Sequence, residues 1–248
     1  MDECETNMSH PEQLKWFAAV RQFVQIPLSE MTIVEVGSAD VYGSVREIFR
    51  GAGNYIGLDL APGPGVDLVV PGDVIPLDSG TIDLVISAEA MEHDPNWSQT
   101  LGECMRILRP GGLLIVSCAG DGRPEHGTRR TDAQESPGTQ GVGLDHYGNL
   151  SRSDMVSAVE HSADPHHLWF FFNPVVRDNY LAVLKSGPNE VIAPDALDRF
   201  DVAEISRGID PLRWVAWSPI RLSIATAGVE FTDRWSWRYW NLIRRVRR

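Results

Sequence analysis

The sequence predicts an α/β fold in which helices cover both faces of a mostly parallel, seven-stranded sheet. Five short apolar runs alternate with helical segments over residues 31–118, a rhythm typical of parallel strands buried on both faces. Two further apolar runs lie close together in residues 168–185, which favours an antiparallel closing pair. The length of 248 residues suits one such domain with a C-terminal extension.

The individual elements follow from apolar periodicity and from turn residues. The predicted helices are 11–25, 44–50, 98–108 and 151–161, and Ser151 and Asp154 have capping-box spacing at the start of the last one. The predicted strands are 31–36, 55–60, 66–70, 81–87, 113–118, 168–172 and 180–185.

The chain divides into three predicted regions. Residues 1–30 form an N-terminal helix or cap, 31–185 form the main domain, and 186–248 form a C-terminal extension. Within the main domain, residues 119–150 are rich in Gly, Asp, Thr, Arg and Pro and have no apolar periodicity. Because long connections inside compact domains are usually functional, this segment is expected to be a substrate loop, the alternative being a solvated, flexible lid.

Composition excludes several classes of protein. Hydrophobic residues at 43% rule out whole-chain disorder, and a net charge of −12 argues against a nucleic-acid partner. The longest apolar runs are too short to span a bilayer, and residues 1–10 are too polar for a signal peptide. The three cysteines (Cys4, Cys104 and Cys118) lack metal-type spacing, which predicts a reduced, cytoplasmic protein.

The C-terminal end differs chemically from the rest of the chain. Residues 234–248 carry six arginines and no acid, and Trp235, Tyr239, Leu242 and Val246 form one apolar stripe in a helix, with Ile243 beside it. This basic amphipathic helix is expected either to pack on the acidic domain or on another subunit, or to lie on anionic lipid. Peripheral membrane contact, protein contact and homo-oligomer formation are therefore all open.

Residues suited to binding a nucleotide-like ligand follow the predicted strands, where open α/β sheets bind ligands. The first strand ends in Gly37-Ser38-Ala39-Asp40, whose small residues allow close approach of a ligand. The nicotinamide-binding pattern Gly-x-Gly-x-x-Gly is broken there. Asp59, at the end of the second strand, is placed to accept the hydroxyls of a ribose, and Asp73 is a candidate for an adenine amino group, with Val74 beside the ring.

The ordered set of segments resembles the class I S-adenosylmethionine-dependent methyltransferases, in particular those with the type 11 domain. Residues 108–114, placed after Glu92-His93, carry the most specific part of the resemblance. It implies a Rossmann-like fold and S-adenosyl-L-methionine as the cofactor. Gly37 would border the methionine part of the cofactor, and Glu89 would line that end of the site. The cofactor-binding residues are thus predicted to be Glu35, Gly37, Ser38, Ala39, Asp40, Asp59, Leu60, Asp73, Val74, Ser87 and Glu89.

Two positions in the first motif leave alternatives open. Ala39 stands where the family usually has a second glycine. Asp40 would contact the ammonium group of the cofactor or simply cap the following helix. Glu35 would act on the cofactor or, as a strand-end acid, only receive hydrogen bonds from backbone or helix N–H groups.

The resemblance implies methyl transfer by in-line displacement, most readily to a hydroxyl of a small metabolite or sugar. A hydroxyl acceptor benefits from a base, and His93, His126 and His146 are the catalytic candidates. The alternatives for His93 are a position beside a helix N-cap or a lid contact. No metal is predicted, because Asp145, His146 and His126 lack recognisable ligand spacing. The rival hypotheses are a nucleotide-dependent oxidoreductase and a non-catalytic cofactor-binding or scaffold protein.

Overall fold

The computed structural model describes residues 11–41, 43–161, 166–207 and 215–247. Cys4 lies outside the described residues, as does the side chain of Val246. Within the described part, no helix is both long and apolar enough to cross a membrane.

Seven strands of the described chain form one sheet in the order β3-β2-β1-β4-β5-β7-β6. Strands β1 to β5 pair in parallel, and β7 pairs antiparallel with both β5 and β6. This arrangement confirms the predicted fold class. The strands are β1 Thr32–Val36, β2 Asn54–Asp59, β3 Leu68–Val69, β4 Ile82–Ala88, β5 Leu108–Ala119, β6 His166–Asn173 and β7 Asp178–Lys185.

Helices lie before, between and after the strands. Ser151 caps α4 by accepting a hydrogen bond from the Asp154 N–H, as its spacing predicts. The α-helices are α1 Pro11–Arg21, α2 Trp97–Ile107, α3 Pro137–Gly141, α4 Arg152–Glu160, α5 Ala203–Ser206, α6 Ser218–Ala227 and α7 Val229–Arg247. Short 3₁₀ helices are Leu28–Glu30, Val45–Phe49, Met91–His93 and Ala133–Glu135.

Four predicted elements differ clearly from the structure. The helix predicted over residues 11–25 ends at Arg21. Strand β5 begins at Leu108 rather than at residue 113, because an irregularity in its pairing between Ile82 and Leu84 accommodates the Pro-Gly-Gly sequence within the strand. Strand β3 is reduced to two residues at the sheet edge. The segment predicted as a helix at 44–50 is a 3₁₀ helix.

Two hydrophobic clusters fill the two faces of the sheet. On one face, α1 contributes the fully buried Trp16 and Phe17, and the C-terminal extension contributes Ile192 and Leu197 to the same cluster. Residues on both sides of the main domain therefore complete its core. The other cluster contains apolar side chains of α2 and α4.

The C-terminal helices form a hairpin, and the predicted apolar stripe is wrong in part. Helix α7 starts at Val229, five residues before the predicted segment. Thr232 and Ser236 are buried, whereas Leu242 is 60% exposed. The reason is the close approach of α6, where the Thr232 hydroxyl donates a hydrogen bond to Ser223 Oγ (2.8 Å) and small polar residues fit better than large apolar ones.

Candidate functional site

The central strands place the candidate site at the carboxyl edge of the sheet. Strand β1 lies between β2 and β4, and the connections after these strands leave in different directions from this point of the sheet. Such a switch point forms a crevice where open α/β sheets bind ligands. The predicted residues after β1, β2 and β4 all belong to this edge.

The turn after β1 requires a glycine at position 37. Gly37 has φ +78°, and a Cβ built there would lie 2.4 Å from Ala90 Cβ. The N–H groups of Gly37 and Ser38 both donate to the Leu58 carbonyl (2.9 and 3.0 Å), which holds the turn against β2. The backbone of this turn is therefore fixed at the crevice without a side chain at residue 37.

Asp59 faces this turn from the end of β2, with Leu60 next in the chain. Its Oδ2 accepts a hydrogen bond from the Ala39 N–H at 3.1 Å. Asp40 accepts a hydrogen bond from the Gly43 N–H at 2.8 Å, but Ser44 caps the following 3₁₀ helix by accepting from the Arg46 N–H. Asp40 therefore does not cap that helix, and its contact with the ammonium group of the cofactor stays a prediction. The pair Asp59–Ala39 thus brings the two predicted cofactor segments into contact.

Glu35 is buried in the middle of the sheet and has a protein partner. The Tyr55 hydroxyl donates a hydrogen bond to Glu35 Oε2 at 2.6 Å. Burial raises the pKa of Glu35 to about 7, although the hydrogen bond from Tyr55 opposes this shift. Glu35 thus receives a hydrogen bond from a side-chain hydroxyl rather than from the backbone or helix N–H groups expected in its alternative role. Its role toward the cofactor stays a prediction.

Asp73 and Val74 lie in the turn after β3. Asp73 Oδ2 accepts a hydrogen bond from the side-chain amide of Asn96 at 2.7 Å, and Val74 is 64% exposed. Asn96 belongs to the site region but was missed, because only the fold brings it next to Asp73.

Unsatisfied buried polar atoms lie at the carboxyl end of the central strands. Within the described residues, the hydroxyls of Ser38, Ser87 and Ser117 are buried and have no hydrogen-bond partner. Buried polar groups are normally paired, so such atoms indicate a place for a bound polar molecule. Together with the Gly37 turn and Asp59, they fit a nucleoside-type cofactor.

Glu89 has a strained backbone directly after β4. It has φ +52°, a left-handed conformation that is uncommon outside glycine. Its carboxylate oxygens make no hydrogen bond in the described structure, and Arg123 Nη2 lies 3.7 Å from Oε2. Strained residues cluster at functional sites, which supports the predicted place of Glu89 in the site.

Two of the three candidate histidines, His93 and His126, lie together with Tyr147, a grouping that the sequence did not predict. The rings of His93 and His126 are 5.1 Å apart and nearly perpendicular, and Tyr147 contacts both rings. His146 joins this group through its main-chain carbonyl, which lies 3.4 Å from His93 Nδ1. Burial lowers the pKa of His93 to about 4, so its ring is neutral at physiological pH.

The segment 119–150 is folded against the site and is held there by an ion pair that the sequence did not predict. Arg123 is buried and forms an ion pair with the buried Asp178 of β7. Further along the segment, a Cβ built on Gly138 of α3 would lie 2.6 Å from Asp59 Oδ1. Helix α3 therefore covers the carboxylate that is predicted to bind the ribose. Arg123 and Asp178 are far apart in the sequence, so no residue spacing could have predicted that they form an ion pair.

Comparison with known proteins identifies the domain. Residues 34–116 match the family model described as "Methyltransferase domain", of type 11. These residues make up about a third of the chain and have the sequence of a methyltransferase domain. This finding confirms the resemblance inferred from the motifs, and for the matched residues it supports a methyltransferase domain that uses S-adenosyl-L-methionine.

Curated relatives match the methyltransferase domain over part of their length. The chain is 32% identical over 102 residues to malonyl-[acyl-carrier protein] O-methyltransferase 1 of Coxiella burnetii, covering 38% of this chain and 36% of the relative. It is 35% identical over 112 residues to the phthiotriol/phenolphthiotriol dimycocerosates methyltransferase of Mycobacterium leprae, covering 39% and 41%. The aligned region thus spans about two-fifths of these relatives.

A solved structure shares the fold. Phosphoethanolamine N-methyltransferase 2 of Haemonchus contortus, in complex with S-adenosyl-L-methionine, superposes with a TM-score of 0.50 at 11% identity. The match covers 70% of this chain and 52% of that one. It supports the Rossmann-like architecture of the methyltransferase domain.

Proposed function

We propose that this protein transfers a methyl group from S-adenosyl-L-methionine to a hydroxyl of a small metabolite or sugar. The observation that carries the proposal is the contact between Asp59, at the end of β2, and the Gly37–Ala39 turn after β1 (Asp59 Oδ2 to Ala39 N, 3.1 Å). It lies inside the region that matches the methyltransferase family model.

The residues of the crevice would share the binding of the cofactor. Asp59 would accept the ribose hydroxyls, the Gly37 turn would border the methionine part, and Glu89 would line that end of the site. Asp73, held by Asn96, would face the adenine. The cofactor supplies an activated methyl group on a sulfonium. The main task of the protein is then to align the acceptor, and such positioning is worth roughly 7–11 kcal/mol.

The acceptor would lie beneath the segment 119–150, beside Glu89. A hydroxyl acceptor must lose a proton, and the neutral ring of His93 and the neighbouring ring of His126 are the candidates to receive it. His146 is a weaker candidate, since the contact that brings it into the group is made by its main chain. The Coxiella burnetii relative is an O-methyltransferase by name, which supports an oxygen acceptor.

The cofactor part of the proposal is tested by calorimetric titration with S-adenosylhomocysteine. We expect Asp59→Ala to weaken binding by roughly 10- to 100-fold, because about 1.5–3 kcal/mol is lost with a charged hydrogen-bond acceptor. The exposed Asp195 offers a matched control, and Asp195→Ala should bind like the native protein. Unchanged affinity in Asp59→Ala, or thermal stabilisation by NAD(H) alone, contradicts the proposal.

The acceptor part is tested with labelled S-adenosyl-L-methionine and matched panels of hydroxyl and amine compounds. We expect label in hydroxyl compounds, and loss of transfer in His93→Asn with retained binding of S-adenosylhomocysteine. Transfer to amines only would overturn the hydroxyl assignment. Cofactor binding without transfer to any acceptor would favour the scaffold alternative.

Several expectations about the whole protein are proposals. They are contact of the basic C-terminal helix with a membrane surface or another protein, homo-oligomer formation, a cytoplasmic location and the absence of a nucleic-acid partner. The boundaries at residues 30 and 185 are likewise proposals, although residues on both sides of them pack into one core cluster.

A further inference from the structure

A compact group of potential metal ligands lies next to the crevice. Glu92 and His93 belong to the 3₁₀ helix after β4, and His126 belongs to the segment 119–150. All three side chains are buried, and one ligand atom of each lies within 4.8 Å of the others. The group consists of two imidazoles and one carboxylate, a donor set that suits divalent transition metals.

Both imidazoles are oriented by main-chain carbonyls. His126 Nδ1 lies 3.2 Å from the Pro124 carbonyl, and His93 Nδ1 lies 3.4 Å from the His146 carbonyl. A carbonyl oxygen can only accept, so each Nδ1 must carry the proton of the hydrogen bond. In a neutral ring this leaves the lone pair on Nε2. The same arrangement, in which the second ring nitrogen donates to a carbonyl, orients most metal-binding histidines.

The carboxylate of Glu92 completes the group. Glu92 Oε1 accepts a hydrogen bond from the Ala119 N–H at 3.2 Å and lies 3.9 Å from His126 Nε2. Glu92 Oε2 is buried and has no hydrogen-bond partner in the described residues. A buried oxygen with free lone pairs beside imidazole nitrogens calls for a cation or a proton between them.

The charges around the group favour a cation. Glu89 and Glu92 are both acidic and lie close enough to interact electrostatically. Arg123 lies near Glu89, but it also forms the buried ion pair with Asp178. The described surroundings thus hold the carboxyl groups of Glu89, Glu92 and Asp178 around the guanidinium of Arg123, so acidic groups outnumber basic ones where a divalent ion would bind.

We propose that Glu92, His93 and His126 bind one divalent transition-metal ion of the zinc type. Ligand atoms at about 2.1 Å from a tetrahedral ion are roughly 3.4 Å apart, so the separation of 3.9 Å between Glu92 and His126 needs only a small contraction. The widest separation in the group requires a larger side-chain adjustment. This inference departs from the sequence-based prediction that no metal is bound.

The place of the ion connects it with the reaction. Its ligands include His93 and His126, the candidate proton acceptors, and it would lie close to Glu89. An ion here would polarise an acceptor hydroxyl and favour release of its proton to water, and this role would replace proton acceptance by the imidazoles. This role rests on the proposed function, whereas binding of the ion does not.

The test is a titration of the metal-free full chain with Co²⁺, which adopts the coordination of zinc and gives a visible ligand-field spectrum. We expect one equivalent to bind with such a spectrum, and Zn²⁺ to displace it. Glu92→Gln and His126→Asn should each weaken Co²⁺ binding at least tenfold. Glu92→Gln retains an oxygen for the Ala119 N–H, so it preserves the local fold. His167→Ala removes an exposed histidine and serves as the matched control.

The result separates the metal site from cofactor binding. Absence of a ligand-field spectrum, or equal Co²⁺ affinity in the native protein and the two ligand variants, overturns the metal site. S-adenosylhomocysteine binding is measured on the same samples by calorimetry. If the native protein did not bind S-adenosylhomocysteine, the proposed function would be contradicted, whereas the conclusion from Co²⁺ binding would still hold. Circular dichroism of each variant verifies that it is folded.

Discussion

Glu35 shows how one buried carboxyl makes stability depend on pH. Burial raises its pKa from 4.5 to about 7 in the folded chain. The folded state then holds this proton more tightly than the unfolded state does. The stabilising contribution is therefore complete below about pH 4.5 and is lost as the pH rises through 7.

Replacing Glu35 tests this linkage. We expect Glu35→Gln to gain stability relative to the native protein between pH 5 and pH 8, by up to about 3 kcal/mol, because the cost of ionising a buried carboxyl disappears. Free energies of unfolding from urea titrations at several pH values measure the effect. Glu30→Gln, at an exposed position near the same strand, should show no such trend. A constant difference across this pH range would contradict the assignment.

At the scale of single elements, helix α3 lies over the carboxylate at the end of β2. Gly138 packs so closely on Asp59 that a Cβ would lie 2.6 Å from its Oδ1. The ribose of a bound cofactor would need that carboxylate. We infer that α3 must move when the cofactor binds, so the affinity measured for the cofactor is reduced by the population of the covered state.

A pair of substitutions within α3 tests this competition. Gly138→Ala should disfavour the covered state and therefore tighten binding of S-adenosylhomocysteine by a few-fold. Gly141→Ala is the control in the same helix, since its Cβ would make only an ordinary contact, 4.0 Å from Ala61 Cβ. Calorimetric titration of both variants gives the comparison. Weaker binding in Gly138→Ala would mean that α3 is a wall of the occupied site and need not be displaced.

At the scale of the whole molecule, the C-terminal hairpin supports the segment 119–150 from outside. A Cβ built on Gly122 would lie 2.5 Å from Ile224 Cδ1 of α6, so the hairpin packs tightly on this segment. The Arg130 guanidinium lies 4.8 Å from the ring centroid of Trp237 in α7. The extension is thus coupled to the cover of the site, although the two are far apart in sequence.

Removing one contact of α6 should loosen that cover. We expect Ile224→Ala to increase the rate of proteolytic cleavage within residues 119–150, because lost packing raises the population of locally open states. Leu222→Ala alters the same helix at a side chain that is 66% exposed, and its cleavage rate should match that of the native protein. Mass spectrometry of the fragments locates the cuts. Equal cleavage in both variants would show that the hairpin does not hold the segment in place.

The sequence by itself determined most of the strands of the sheet, several of the helices and the family resemblance of residues 34–116. Apolar runs of strand length indicate buried strands, and residues 108–114 carry the local motif on which the family resemblance depends. Gly37 was also recognisable, because a turn that excludes a side chain restricts the residue type at one position. Such features depend on residues that are close together along the chain, so they can be recognised in the sequence.

Only the tertiary structure decided which polar groups meet. Glu92 and His93 are adjacent in the chain, but His126 reaches them through the folding of the segment 119–150. Arg123 forms its ion pair with Asp178, which lies 55 residues further along the chain. The face of α7 that is buried is the one that packs on α6, and it does not coincide with the apolar stripe of α7. Contacts of this kind depend on the relative positions of separate elements, and those positions come from packing of the whole core, which no local spacing encodes.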